Sequence, residues 1–90
     1  MSVVICSLAA EGNLDRLRDS LLACAGEDVA TMQDYDFRTP LHYAARHGHA
    51  EIVRFLILRG SNINALDRWN QTPFYEAVTN LHPKVVKILS

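Results

Sequence analysis

The sequence lacks the features that mark several large classes of protein. No stretch approaches the ~18 consecutive apolar residues that cross a membrane as a helix. Acidic and basic residues nearly balance, at a formal net charge of −1, and no run of like charges occurs. This excludes both the basic footprint of a nucleic-acid binder and a polybasic patch for an anionic membrane. Four scattered glycines leave no glycine-rich loop to cradle a phosphate. The only cysteines, Cys6 and Cys24, sit in apolar helical context. That suits small buried residues in a reducing compartment better than a disulfide. Residues 3–10 are apolar, but no basic segment precedes them and they run into Glu11 and Asp15, so they do not read as a secretory leader. The expected location is intracellular, in the cytoplasm.

Reactive constellations are missing as well. There is no Gly-x-Ser-x-Gly turn, and neither cysteine has a histidine positioned near it in sequence. The Asp and Glu residues read as caps or surface positions without an evident facing pair. Catalysis is therefore not expected, and neither a cofactor nor a metal is implied.

What is present is repetition. Residues 34–41 read D-Y-D-F-R-T-P-L, and residues 67–74 read D-R-W-N-Q-T-P-F. One and the same interval separates Asp34 from Asp67, Thr39 from Thr72 and Pro40 from Pro73. A fixed period of this size marks stacked supersecondary units rather than one irregular core. The repeated residues have a mechanical use. Thr39 and Thr72 suit helix N-caps. Pro40 and Pro73 suit the first helical position, where the missing N–H costs nothing. The Asp and Asn residues ahead of them favour a tight turn.

The 90 residues, 49% of them apolar, fit one small folded domain with a thin stability margin. Residues 2–11 read as a helix ended by Gly12, and residues 13–25 as a second helix capped by Asn13, with Leu14, Leu17, Leu21 and Cys24 on one stripe. Residues 26–33 form a loop carrying Glu27 and Asp28. Helices are expected at 40–46, stopped by Gly48, and at 49–58, with Arg59 and Gly60 at its end. Residues 61–66 are expected to be extended, with Ile63 pointing inward. A third pair follows at 73–79 and from Pro83 onward. All are too short to be stable alone. The units divide as 2–33 (degenerate), 34–66 and 67–90 (incomplete). The first unit fits only in a slightly longer register, Gly12 to Gly48, and has Val3-Val4 in place of Thr-Pro. The helical pattern is still running at Ser90, as in a piece of a longer chain.

Residues 39–60, with Thr-Pro-Leu-His, Ala-Ala, Gly-His and Ile-Val, resemble the ankyrin repeat over its whole length. Residues 67–90 are similar at Asp67, Thr72, Pro73, Ala77, His82, Val85 and Val86. Residues 2–33 are similar only at Ala9, Gly12, Leu17 and Leu21. The resemblance implies an all-α solenoid of stacked antiparallel helix pairs with projecting β-turn fingers. It also implies that the His42 ring bonds the backbone of the neighbouring loop and that His49 and His82 recur for structural reasons. His47 is expected to be exposed, and the His47-Gly48-His49 spacing lacks the further ligands that zinc needs. Three departures stand out. Phe37 and Asn70 occupy positions where the family has a glycine of positive φ, and Phe37 is expected to reshape the first finger. Leu81 replaces the glycine between paired helices. Tyr75 replaces the histidine after Leu. A narrower likeness points to the ankyrin tails of two kinds of amidohydrolase. Asp34-Tyr35-Asp36, Arg38-Thr39 and residues 67–73 are similar to the glutaminases. Residues 6–12 are similar to the lysophospholipase-type asparaginases.

The resemblance implies a protein-interaction module without activity. It would display Tyr35, Phe37 and Arg38 on one finger and Arg68, Trp69 and Gln71 on the next. Tyr43, Arg46 and His47 would line one helix, and Tyr75, Glu76 and Thr79 the next. Tyr, Trp and Arg are the residue types that anchor interfaces. The competing reading packs Trp69 on its neighbouring finger and Tyr43 or Tyr75 between units, because so short a stack is starved of core. The partner would be another protein or the catalytic domain of a parent amidohydrolase. Self-association through the unfinished 84–90 end is the third alternative.

Overall fold

The computed structural model describes residues 2–23 and 32–90. Among the described residues the backbone forms six helices and no strand: α1 (Ser2–Glu11), α2 (Leu14–Ala23), α3 (Pro40–Arg46), α4 (Ala50–Leu58), α5 (Pro73–Thr79) and α6 (Pro83–Leu89). Each odd-numbered helix packs on its successor as a pair, α1 on α2, α3 on α4 and α5 on α6. The pairs stack through α1 on α3, α3 on α5 and α4 on α6. Asn13 caps α2 as expected, and His49, expected as a helical residue, stands just outside α4 as its N-cap. The Asn13 side chain accepts from Arg16 N at 3.1 Å. Cys24, Ala25 and residues 26–31 of the expected loop, with Glu27 and Asp28, lie outside the described residues.

The repeated threonines start α3 and α5. Thr39 Oγ1 accepts from His42 N at 3.3 Å, and His42 Nδ1 in turn lies 3.1 Å from Thr39 N. This is a capping box in which histidine takes the place usual for Glu or Gln. Thr72 Oγ1 accepts from Tyr75 N at 3.2 Å. Pro40 and Pro73 follow as the first helical residues.

The ends of α3 and α5 are alike too. His49 N donates to Ala44 O at 2.9 Å and Gly48 N to Ala45 O at 3.3 Å. His82 N donates to Ala77 O at 3.0 Å and Leu81 N to Val78 O at 3.2 Å. Both are the paired closing bonds of a helix whose next residue is left-handed. Gly48 has φ 75° and Leu81 has φ 59°. The geometry thus holds even where a side chain costs ~1 kcal/mol or more of backbone strain.

Ile5, Leu8, Leu17, Leu21, Leu41, Ile52, Leu56 and Val85 belong to one continuous buried cluster. Full burial of such a side chain contributes about 1.5–3 kcal/mol. Short helices with no stability of their own are held by this shared burial. Two local expectations fail. Ile63 does not point inward and is exposed. The 61–66 segment is not simply extended, because Asn62 turns it: its Oδ1 accepts from Asn64 N at 2.9 Å and its carbonyl from Ala65 N at 3.2 Å. A short polar side chain that bonds its own backbone competes with extension.

Candidate functional site

The two fingers are built by the same bonds, made by residues at equivalent places in successive units. Asp34 Oδ1 accepts from Asp36 N at 2.9 Å and Arg38 N at 3.0 Å. Asp67 Oδ1 accepts from Trp69 N and Gln71 N, both at 2.9 Å. Phe37 N reaches Asp34 O and Asn70 N reaches Asp67 O, each at 3.0 Å. Phe37 has φ 61° and Asn70 φ 59°. Phe37 therefore does not reshape its finger, as the sequence had suggested. The bonds closing the turn outweigh the ~1–2 kcal/mol cost of the left-handed residue.

The fingers then join side by side. Arg68 N donates to Asp36 O at 2.8 Å, and Arg68 Nη2 donates to Tyr35 O at 2.7 Å. Arginines thread between the aromatics. The Arg38 guanidinium lies 5.9 Å from the Tyr43 ring and 5.0 Å from the Trp69 ring, and that of Arg68 lies 5.9 Å from Phe37. Trp69 is thus partly packed on the neighbouring finger, yet it remains 53% exposed. Tyr35, Phe37 and Tyr75 are exposed, and so are Arg68, His47 and Thr79, while Arg46 and Gln71 are half-buried. Tyr43 is half-buried and donates its hydroxyl to Asp34 Oδ2. Burial and then this bond push the Tyr43 phenol above its ordinary value.

Glu76 is a correction. Grouped with the displayed side chains, it is instead buried at 5% exposure. Its register explains this, since Glu76 stands one period after the inward-turned Tyr43. Asp67 is buried as well, so the acids are not all caps and surface residues. Arg46 Nε lies 4.0 Å from Glu76 Oε2, and Arg38 Nε 3.8 Å from Asp67 Oδ2. The latter pair is too long for a hydrogen bond, and among the described residues neither atom has another partner. They compensate one another as charges only. Burial works against the Arg38 cation, but Tyr43, Glu76 and Asp67 hold its pKa above the ordinary value.

The histidines divide as the pattern implied. His42 Nε2 is 2.8 Å from Gln71 O in the next finger. His49 Nε2 is 3.0 Å from Ala10 O, and His82 Nε2 is 2.8 Å from Arg46 O. Each ring ties one unit to its neighbour. His47 is exposed, and its ring is 6.2 Å from that of His49. Burial, then the neighbouring His49 and Arg46 charges, lower its pKa. Among the described residues no three His, Cys, Asp or Glu side chains converge on a metal-sized site. No helix of the described residues is long and apolar enough to cross a membrane. Cys6 is buried, with Sγ 3.7 Å from Arg38 O, and burial followed by the Asp34 charge pushes its thiol up to about 12. A thiol held protonated in this way is not a nucleophile.

Comparison with known proteins agrees with this construction. The rat (Rattus norvegicus) 26S proteasome non-ATPase regulatory subunit 10 is 42% identical over 72 residues, covering 80% of this chain and 30% of that protein. The serine/threonine-protein kinase VIK of Arabidopsis thaliana is 42% identical over 57 residues, covering 63% of this chain and 13% of the kinase. The mitochondrial liver-isoform glutaminase of Mus musculus is 40% identical over 83 residues, covering 90% of this chain and 13% of the enzyme. The chain therefore spans less than a third of the length of these curated relatives. The family description "Ankyrin repeats (3 copies)" matches residues 6–90. With the twice-built finger, the capped helix pairs and the histidine ties between units, the chain belongs to the ankyrin-repeat family.

Proposed function

We propose that this chain is a non-catalytic docking module that receives a protein partner on the face formed by its fingers and by α3 and α5. The observation that supports this is the coexistence of a rigid frame and exposed anchors. Tyr35, Phe37, Trp69 and Tyr75 remain exposed on or beside elements whose backbone is fixed by repeated hydrogen bonds. Aromatic side chains on a preorganised frame bind at low entropic cost. Arg46, Arg68 and His47 supply polar contacts beside them, whereas Glu76 supports the face from beneath. Stretches similar to this chain occur in a proteasome subunit, a kinase and a glutaminase. The match thus carries the kind of module and leaves the parent open.

The test is affinity capture with quantitative mass spectrometry, comparing wild type with two double variants. Arg68→Ala with Trp69→Ala disturbs the joined fingers. Tyr35→Ala with Tyr75→Ala removes exposed rings that the frame does not use. Partners lost from both variants, at unchanged circular dichroism, are expected. Full retention by the Tyr35/Tyr75 variant would refute this surface.

A second reading, an accessory region of an amidohydrolase, is favoured by the glutaminase match over 90% of the chain. Its partner would be the parent's own catalytic domain. It requires that the parent transcript encode such a domain, and a transcript without one removes it.

A further inference from the structure

Trp69 is held at two points, and one buried carboxylate stands behind both. Asp67 Oδ1 accepts from Trp69 N at 2.9 Å, which fixes the backbone under the ring. Asp67 Oδ2 lies 3.8 Å from Arg38 Nε, and the Arg38 guanidinium lies 5.0 Å from the centre of the Trp69 ring. The Asp67 side chain is fully buried and that of Arg38 is 19% exposed, so solvent screens their attraction little. The same guanidinium lies 5.9 Å from the ring of Tyr43, in its own unit. One cation thus joins aromatic rings from consecutive units.

The first finger shows what makes this possible. There Tyr43 donates its hydroxyl to Asp34 Oδ2, so both oxygens of that aspartate serve their own unit. One period later the place of Tyr43 is taken by Glu76, which is buried. A carboxylate accepts hydrogen bonds and does not donate them. Asp67 Oδ2 is therefore left without a hydrogen-bond partner among the described residues, and the Arg38 cation of the preceding unit faces it. Glu76 adds its own attraction to that cation. Trp69 is the one aromatic residue of the second finger and remains 53% exposed. A large ring held still before contact loses less rotamer freedom on binding.

We propose that Arg38 is a positioning residue of the docking face: held by Asp67, it presets the Trp69 ring for a protein partner. Glu76 belongs to the same device, because its carboxylate leaves Asp67 Oδ2 to Arg38. This rests on the docking reading above and adds the residue that orients its largest ring. Every contact lies within or between the second and third units.

Trp69 is the only tryptophan of the chain, so its fluorescence reads the ring without any partner. Arg38→Lys keeps a charge opposite Asp67 but loses the flat guanidinium that stacks on rings. Losing such a contact shifts the balance between free and held ring about two- to fivefold. That balance, read from the fast part of the Trp69 anisotropy decay, should move by this factor at unchanged far-UV circular dichroism. Glu76→Tyr is the sharper variant. Its hydroxyl should take Asp67 Oδ2 as Tyr43 takes Asp34 Oδ2, so the fold gains stability while Trp69 loosens. A role in stability alone would not move the two in opposite directions. In affinity capture, recovery of the partners that depend on Tyr35 and Tyr75 should fall about two- to fivefold in both variants. An unchanged anisotropy decay in Arg38→Lys would overturn the hold on Trp69, and a ring still held in Glu76→Tyr would overturn the part given to Glu76. A loosened ring with those partners fully recovered would overturn the presetting alone. Partners kept by the Tyr35/Tyr75 variant would refute the docking face itself, and the anisotropy would still decide whether Arg38 holds the ring.

Discussion

Gly48→Ala separates two costs that coincide at most glycines, the cost of a left-handed backbone and that of a filled space. Gly60 is the internal control. It too closes a helix, with φ 94°, but a Cβ there meets nothing within 4 Å. Gly60→Ala should therefore cost only the backbone term, about 1 kcal/mol. At Gly48, with φ 75°, the new Cβ would stand 2.5 Å from His82 Nδ1. The ring has to move, giving up its 2.8 Å contact with Arg46 O and its fit between units. Overpacking costs about 1–3 kcal/mol and the lost hydrogen bond about 1 kcal/mol, partly the same event. Gly48→Ala should thus cost about 2 kcal/mol more than Gly60→Ala, a further fall in Tm of about 8–16 °C for a domain this small. The assay is urea unfolding followed by far-UV circular dichroism. On a His82→Ala background the extra cost should vanish, leaving about 1 kcal/mol at Gly48. Equal losses at Gly48 and Gly60, or an unchanged Gly48 cost without the His82 ring, would refute the reasoning.

Glu76→Tyr should copy the Tyr43–Asp34 bond onto Asp67, whose Oδ2 lacks a hydrogen-bond partner among the described residues. A bond to a charged group is worth about 1.5–3 kcal/mol, against less than about 1 kcal/mol for the half-exposed Arg46 pair that is lost. Net stabilisation of about 1 kcal/mol is expected in the same urea assay. A loss would show that the Glu76 carboxylate is better satisfied than its 4.0 Å distance to Arg46 indicates. In a Cys24→Ser background, Cys6 should resist alkylation in the folded state and react once urea unfolds the chain; native-state labelling at free-thiol rates would contradict its burial. His47 has a folded pKa below its unfolded value, so between the two the unfolded chain binds more protons. Its contribution is intact above the unfolded pKa and is lost as pH falls through the folded one. The stability–pH slope between about pH 5 and 7 should flatten in His47→Gln, and an unchanged slope would assign it to other groups.

Much of this construction was legible because the repeat restates itself. Thr39-Pro40 and Thr72-Pro73 are local signals, and a cap needs only its own next turn. Phe37 was misread for a related reason. Its φ preference is local, but the bonds that hold it come from Asp34 and its neighbours acting together. Glu76 was misplaced because the family likeness put it, by position, on the displayed side of its helix. Only the stacking of α5 against α3 put it beneath Arg46. Ile63 failed in the opposite direction, since Asn62 turned the segment before any core could claim it.

The order of caps, turns and helix pairs, and hence the family, follows from the sequence alone, because each of those choices is made within a few residues by backbone chemistry. Which side chains meet across units was decided by tertiary packing. The ring of His82 on Gly48, the guanidinium of Arg38 between two aromatics, and the buried acids at Asp67 and Glu76 all join residues from separate units. No short-range preference encodes those meetings; they exist only once the units are pressed together.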